Sequence, residues 1–134
     1  MNILNGTISQ IQSHEGISLV RVQSNDVTFS TIVLDTPETS DYLKLQNPVK
    51  IIFKETEVVI SKDLNPNIST QNKLLCRIES IHKGVILSQI NLVHEQQVIK
   101  SIITRNACEE LNLKENDTVL ALIKTNEVSL SAHD

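Results

Sequence analysis

The feature that most constrains this chain is that it is written twice. Phe53-Lys54-Glu55-Thr56-Glu57-Val58-Val59-Ile60-Ser61 returns as Ile123-Lys124-Thr125-Asn126-Glu127-Val128-Ser129-Leu130-Ser131, an offset of 70 residues at which Lys, Glu, Val and Ser all coincide. The same offset pairs Ile8 with Ile78, Ile11 with Ile81 and Ile32-Val33 with Ile102-Ile103. Between these blocks it slips to 68, matching Gly16 with Gly84 and Leu43-Lys44-Leu45 with Leu111-Asn112-Leu113. Slips that later cancel are what loops of unequal length produce between two copies of one unit. A unit of about 60 residues buries only roughly 60% of its chain surface and is marginal alone.

Each copy carries the period of strands. Apolar and polar residues alternate from Ile3 to Ile11 and from Leu74 to Ile81, as on a half-buried strand. Turns at His14-Glu15-Gly16 and His82-Lys83-Gly84 lead to second strands, Ile17 to Val22 and Val85 to Leu92. Polar breaks (Gln23 to Asp26; His94 to Gln97) open third strands, Val27 to Leu34 and Val98 to Thr104, so that close neighbours read as hairpins. A short helix is expected next. Asp35 or Thr36 precedes Pro37-Glu38 in the first copy, and Thr104 or Asn106 precedes Ala107-Cys108-Glu109-Glu110-Leu111 in the second. Two strands close each copy: Val49 to Lys54 with Val58 to Ser61, and Thr118 to Lys124 with Val128 to Ser131. The expected fold is all-β: two tandem five-stranded OB-like barrels, each with one short helix. The modules are residues 1–63 and 72–134, with a turn-rich linker at 64–71.

Composition narrows the partners. Phe29, Tyr42 and Phe53 are the only aromatic residues, so Ile, Val and Leu must build the core, which favours strands. A net charge of −4 opposes a polyanion partner, and three aromatics are few for a platform on which bases stack. No run approaches the ~18 apolar residues of a membrane span, and Met1 to Gly6 lacks the basic region of a secretory leader. Cys76 and Cys108 stand far apart and read as buried small hydrophobes in a reducing compartment. The expectation is a cytoplasmic protein with neither nucleic acid nor membrane as partner.

The search for catalytic groups returns little. His14, His82, His94 and His133 fall in turns or at the tail, and read as exposed loop histidines. Gly6, Gly16 and Gly84 form no phosphate-cradling loop, and the carboxylates, Glu109-Glu110 among them, are scattered on polar faces. What recurs is a lysine at the end of each fourth strand followed by a polar corner, Lys54-Glu55-Thr56 and Lys124-Thr125-Asn126. Polar residues also lead into each first strand, Asn2 in one copy and Ser69-Thr70-Gln71-Asn72 in the other. Lysine among hydroxyl and amide donors suits a small oxyanion. The same residues also read as hairpin corners with a solvated lysine, and spacing alone favours that plainer reading.

From Ser69 through Leu130 the second copy resembles the Mop (molbindin) family, the molybdate- and tungstate-binding form of the TOBE domain. The family's Ser-Ala-Arg-Asn opening corresponds to Ser69-Thr70-Gln71-Asn72. Its Ile-Thr-Asn-Glu-Ser segment, with Leu-Gly-Leu after the helix, corresponds to Ile103-Thr104-Arg105-Asn106-Ala107 and Leu111-Asn112-Leu113. Its closing Ile-Lys-Ala-Ser, with Val two residues on, corresponds to Ile123-Lys124-Thr125-Asn126 and Val128. The first copy is the weaker match, carrying Asn2, Asn5-Gly6-Thr7-Ile8 and Phe53-Lys54-Glu55-Thr56.

The resemblance implies a tandem Mop protein that binds molybdate or tungstate without transforming it. It implies assembly as a homo-oligomer, a trimer by preference, with sites at junctions between modules. Carried over by position, the oxyanion-binding residues are Ser69, Gln71, Asn72, Thr104, Lys124, Thr125, Asn126, Lys54 and Thr56. Several positions depart from the pattern, Asn126 in place of Ser among them. Gln71 and Met1 stand where the family has Arg, and Glu55 stands where it has Ala. Because the second copy keeps Ser69, Asn72 and Thr104, whereas the first has Leu34 at the position of Thr104 and Glu55 beside its lysine, Lys124 is expected to matter more than Lys54. A Mop-fold interaction or regulatory module that has lost its ligand is the alternative.

Overall fold

In the computed structural model, which describes residues 1–132, the alternating segments are strands that run longer than their patterns. The first copy supplies β1 (Asn2–His14), β2 (Ile17–Ser24), β3 (Val27–Val33), β4 (Pro48–Phe53) and β5 (Val59–Ser61). The second supplies β6 (Asn72–Lys83), β7 (Leu87–His94), β8 (Gln97–Thr104), α1 (Arg105–Glu110), β9 (Thr118–Ile123) and β10 (Ser129–Ala132). Single 3-10 turns at Glu55–Glu57 and Thr125–Glu127 occupy the polar corners. No helix among the described residues is long and apolar enough to cross a membrane. His133 lies outside the described residues.

The long first strand of each copy is shared between two neighbours. β1 pairs with β4 through Asn2 to Thr7 and with β2 through Thr7 to His14, and its register shifts between Ile8 and Gln10. β6 repeats this with β9 and β7, its shift falling between Ile78 and Ser80. An extra residue in one strand bends it and tightens the twist, which curls the sheet. Close packing accompanies the bend. A Cβ on Gly6 would stand 2.5 Å from Val22 Cγ1, so only glycine fits there.

The completed sheets do not follow the repeat. The strand orders are β10-β4-β1-β2-β3 and β5-β9-β6-β7-β8, every pairing antiparallel. Each copy therefore surrenders its last strand to the other. Ser129 and Leu130 lie against Ile52 and Ile51, whereas Val59 and Ile60 lie against Leu122 and Ala121. The compact units are accordingly Met1–Phe53 with Lys124–Asp134, and Lys54–Ile123. They differ from the modules 1–63 and 72–134 that the repeat suggests. The physical reason lies in the corners. A hairpin needs a reversing turn, commonly with residues at positive φ. Lys54 and Val58 are both extended, and no residue between them has positive φ. The 3-10 turn redirects the chain without folding it back on β4.

Each core is an inward face of Ile, Val and Leu. In the first unit Ile8, Val20, Val22, Leu43, Val49 and Ile51 are fully buried, joined by Phe29 and Phe53, whose rings stack with centroids 6.2 Å apart. In the second, Ile78, Ile90, Leu92, Ile99, Val119, Ala121 and Ile123 are equally buried, with Cys76 and Cys108 among them as free thiols. Burial pushes the Cys76 thiol up to about 12.

Three expectations are corrected. The helix anticipated at Pro37-Glu38 is a turn, with Thr39 N and Ser40 N both donating to Thr36 O at 3.0 Å. Thr36 N donates to Thr39 Oγ1 at 2.8 Å, so short polar side chains compete for backbone that a helix would use. The second copy has Ala-Cys-Glu-Glu in that place and does form its helix. β7 begins at Leu87 rather than Val85, because Gly84 N donates to Leu87 O at 2.8 Å and closes a loop. Val85 and Ile86 then project into solvent, 89% and 74% exposed. Finally, His94 is buried rather than in a loop. The alternation of β7 turns it inward, where its Nδ1 lies 2.7 Å from Leu75 O.

Candidate functional site

The two lysine corners are built alike, each in the unit of the other copy. In the second unit the chain leaves Lys54 in extended conformation, and Glu57 N donates to Lys54 O at 3.0 Å to close the turn. Lys54 and Thr56 are exposed, and Glu55 is half-buried between them. The Glu57 carboxylate turns back to accept from Lys54 N at 2.9 Å. This places one negative charge on a backbone donor of the corner, with a second on Glu55 beside it.

In the first unit, Glu127 N donates to Lys124 O at 3.0 Å. Lys124 and Asn126 are exposed and Thr125 is half-buried. No side chain caps this turn, and Thr125 replaces the carboxylate of Glu55.

Both corners are anchored from below by a buried hydroxyl. Thr31 Oγ1 on β3 donates to Val128 O at 2.5 Å, and Ser101 Oγ on β8 donates to Val58 O at 2.8 Å. Thr31 and Ser101 are completely buried. These bonds also link the outer strands of each curled sheet. They were not anticipated from sequence. The signal was present, since Thr31 and Ser101 stand 70 residues apart at inward positions following Phe29 and Ile99, where the pattern calls for apolar side chains.

The remaining candidates sit in the second unit. Ser69 and Gln71 are exposed in the linker, and Asn72 is buried as the first residue of β6, opposite Ile123. Thr104 is the N-cap of α1, its Oγ1 accepting from Ala107 N at 3.0 Å. Arg105 bonds Glu109 one turn on at 2.8 Å, and this guanidinium holds the Glu109 carboxyl below its usual range. By unit, then, Ser69, Gln71, Asn72 and Thr104 belong with Lys54 and Thr56, whereas Lys124, Thr125 and Asn126 belong with the first-copy sheet. The grouping of Lys124 with Ser69, Asn72 and Thr104, drawn from the repeat, does not follow the units.

Cationic side chains flanked by hydroxyl and amide donors bind anions; nothing in these corners is arranged as a nucleophile and its base. The TOBE domain family matches residues 68–130, the segment that runs from β6 into the start of β10 and holds the second corner. Residues 68–130 are a TOBE domain. The fold of the chain matches that of the cytoplasmic molybdate-binding protein ModG, crystallised with molybdate bound, at a TM-score of 0.91 and 23% identity, over 98% of this chain and 96% of that one. A molybdate-binding protein from Sporomusa ovata is 30% identical over 44% of this chain and 88% of its own, with a TM-score of 0.43. The molybdenum import ATP-binding protein ModC of Rhizobium etli is 30% identical over 92% of this chain. The chain spans 32% of the length of that relative.

Proposed function

We propose that this protein binds a tetrahedral metal oxyanion, molybdate or tungstate, in the cytoplasm, holding it for storage, homeostasis or delivery. The observation that carries the reading is the duplicated lysine corner, placed by the same turn and the same buried hydroxyl in both units. Similarity in fold to a molybdate-binding protein supports that ligand class. The corners offer charge, hydroxyl and amide donors, which recognise the ligand without altering it, so the oxyanion is released unchanged and the protein is no enzyme.

The proposed binding set is Lys54, Thr56, Ser69, Gln71, Asn72, Thr104, Lys124, Thr125 and Asn126. The working state is a homo-oligomer, a trimer by preference. Each unit is small, and large apolar side chains such as Leu34, Leu75, Val85 and Ile86 are exposed on the single chain. Nucleic acid and membrane are not partners in this reading.

A second reading, an interaction or regulatory module without a ligand, draws on specific residues. Gln71 replaces a charged donor by a neutral one, worth about 1–2 kcal/mol of binding, and Glu55 and Glu57 place carboxylates at the first corner. Calorimetric titration with molybdate, tungstate, sulfate and phosphate separates the two. Saturable binding of the larger oxyanions in preference to sulfate is expected. Silence toward all four leaves the interaction module.

A further inference from the structure

We propose that Thr31 and Ser101 are the positioning residues of the lysine corners, each fixing the corner contributed by the opposite copy of the repeat. The functional half of this inference rests on the oxyanion reading; the structural half does not.

A hydroxyl buried among Ile, Val and Phe is costly unless it is bonded. Both of these are bonded, and neither to its own ladder. Thr31 reaches Val128, 97 residues along the chain, and Ser101 reaches Val58, 43 residues back. The targets are equivalent. Val58 and Val128 each end a 3-10 turn in nearly the same backbone conformation, φ −92° and ψ 116° against φ −95° and ψ 126°. Each turn is thus held at both ends. The strand before the lysine fixes one, β4 before Lys54 and β9 before Lys124, and the gripped carbonyl fixes the other. A lysine stem has large rotamer freedom, and donors converge on a small dianion only when the backbone beneath them is preorganised. Hydroxyls that merely filled the core would bond to the nearest strand carbonyl. Both select the one carbonyl that terminates a lysine corner.

The test uses the full chain. Thr31→Val and Ser101→Ala remove the hydroxyls, while Thr31→Ser and Ser101→Thr keep them. Each is combined with Lys54→Ala and with Lys124→Ala. Molybdate affinity is read by calorimetry, and backbone hydrogen exchange is read over residues 54–58 and 124–128.

A lost hydroxyl contact should weaken molybdate roughly 3- to 10-fold, and the effect should couple crosswise. Thr31→Val should cost little once Lys124 is gone yet keep its full effect in Lys54→Ala; Ser101→Ala should show the reverse. Thr31→Ser and Ser101→Thr should bind as the unaltered protein does. Exchange should quicken at 124–128 in Thr31→Val and at 54–58 in Ser101→Ala. Additivity with both lysines, coupling to the lysine of the same copy, or exchange that rises evenly along the chain would overturn the inference.

If the unaltered protein binds no oxyanion, the functional reading fails separately. The exchange comparison then decides alone, and unchanged protection at the two corners counts against positioning. Should Thr31→Val not fold, the Ser101→Ala arm carries the same two outcomes.

Discussion

At the scale of single residues, the two lysines are alike in sequence and unlike in surroundings. Lys54 shares its corner with Glu55 and with a Glu57 carboxylate already bonded to the Lys54 amide. Lys124 has Thr125 and Asn126 in place of Glu55 and Thr56, and Glu127 stands where Glu57 does but is not bonded to the lysine amide as a cap. The first corner thus differs from the second by the Glu55 carboxylate and by a backbone donor already in use. Lys124→Ala should therefore lose more affinity than Lys54→Ala, with a charged hydrogen bond worth about 1.5–3 kcal/mol. Calorimetry at one fixed salt concentration checks this, and Glu57→Gln should strengthen binding at the first corner.

Cys76 supplies a prediction that needs no ligand. Its thiol is raised from 9.0 to about 12 by burial, so folding favours the neutral form. The contribution is fully present below the ordinary thiol value and is lost as pH rises from there toward the folded value. Urea midpoints measured at about pH 8 and about pH 11 should fall more for the unaltered protein than for Cys76→Ala. An equal fall in both would place the alkaline loss on other groups.

At the scale of elements, α1 separates a structural role from a binding one. The family resemblance makes Thr104 a donor to the oxyanion, and its oxygen is engaged as the helix N-cap. Thr104→Ala should cost about 1 kcal/mol of stability, the usual value of such a cap, measured by urea denaturation. Should molybdate affinity fall in the same variant by more than tenfold, Thr104 serves the ligand as well as the helix. The counterpart in the first copy shows why sequence misled there. Pro37 is well placed to start a helix, but the Thr39 hydroxyl takes both the Thr36 N–H and the Thr36 carbonyl as partners and a single turn results. Short polar side chains were visible in the sequence; which competing bond they would choose was not.

At the scale of the molecule, the exchange of last strands makes each unit depend on both copies. Deleting residues 125–134 removes β10, which belongs to the sheet of the first copy. Hydrogen exchange should accordingly quicken in β4, at Val49 to Phe53, while β6 and β7 keep their protection. The reverse pattern would mean that each copy closes its own sheet. Assembly is checked at the same scale. Light scattering of the full protein should exceed the 15.0 kDa of one chain, and a value equal to it would remove the trimer.

The sequence by itself determined the repeat, the strands, the second-copy helix, the aliphatic core and the two lysine corners. All of these follow from local chemistry: period-2 alternation, turn-forming residues, a cap before an Ala-Cys-Glu-Glu run, and apolar side chains that must leave water. The tertiary structure alone decided which strand completes which sheet, because β5 and β10 are short and similar and fit either edge by pattern. The choice rests on the direction of a 3-10 corner and on two buried hydroxyls that find carbonyls 97 and 43 residues away. Such bonds depend on three-dimensional closure, and no local periodicity encodes them.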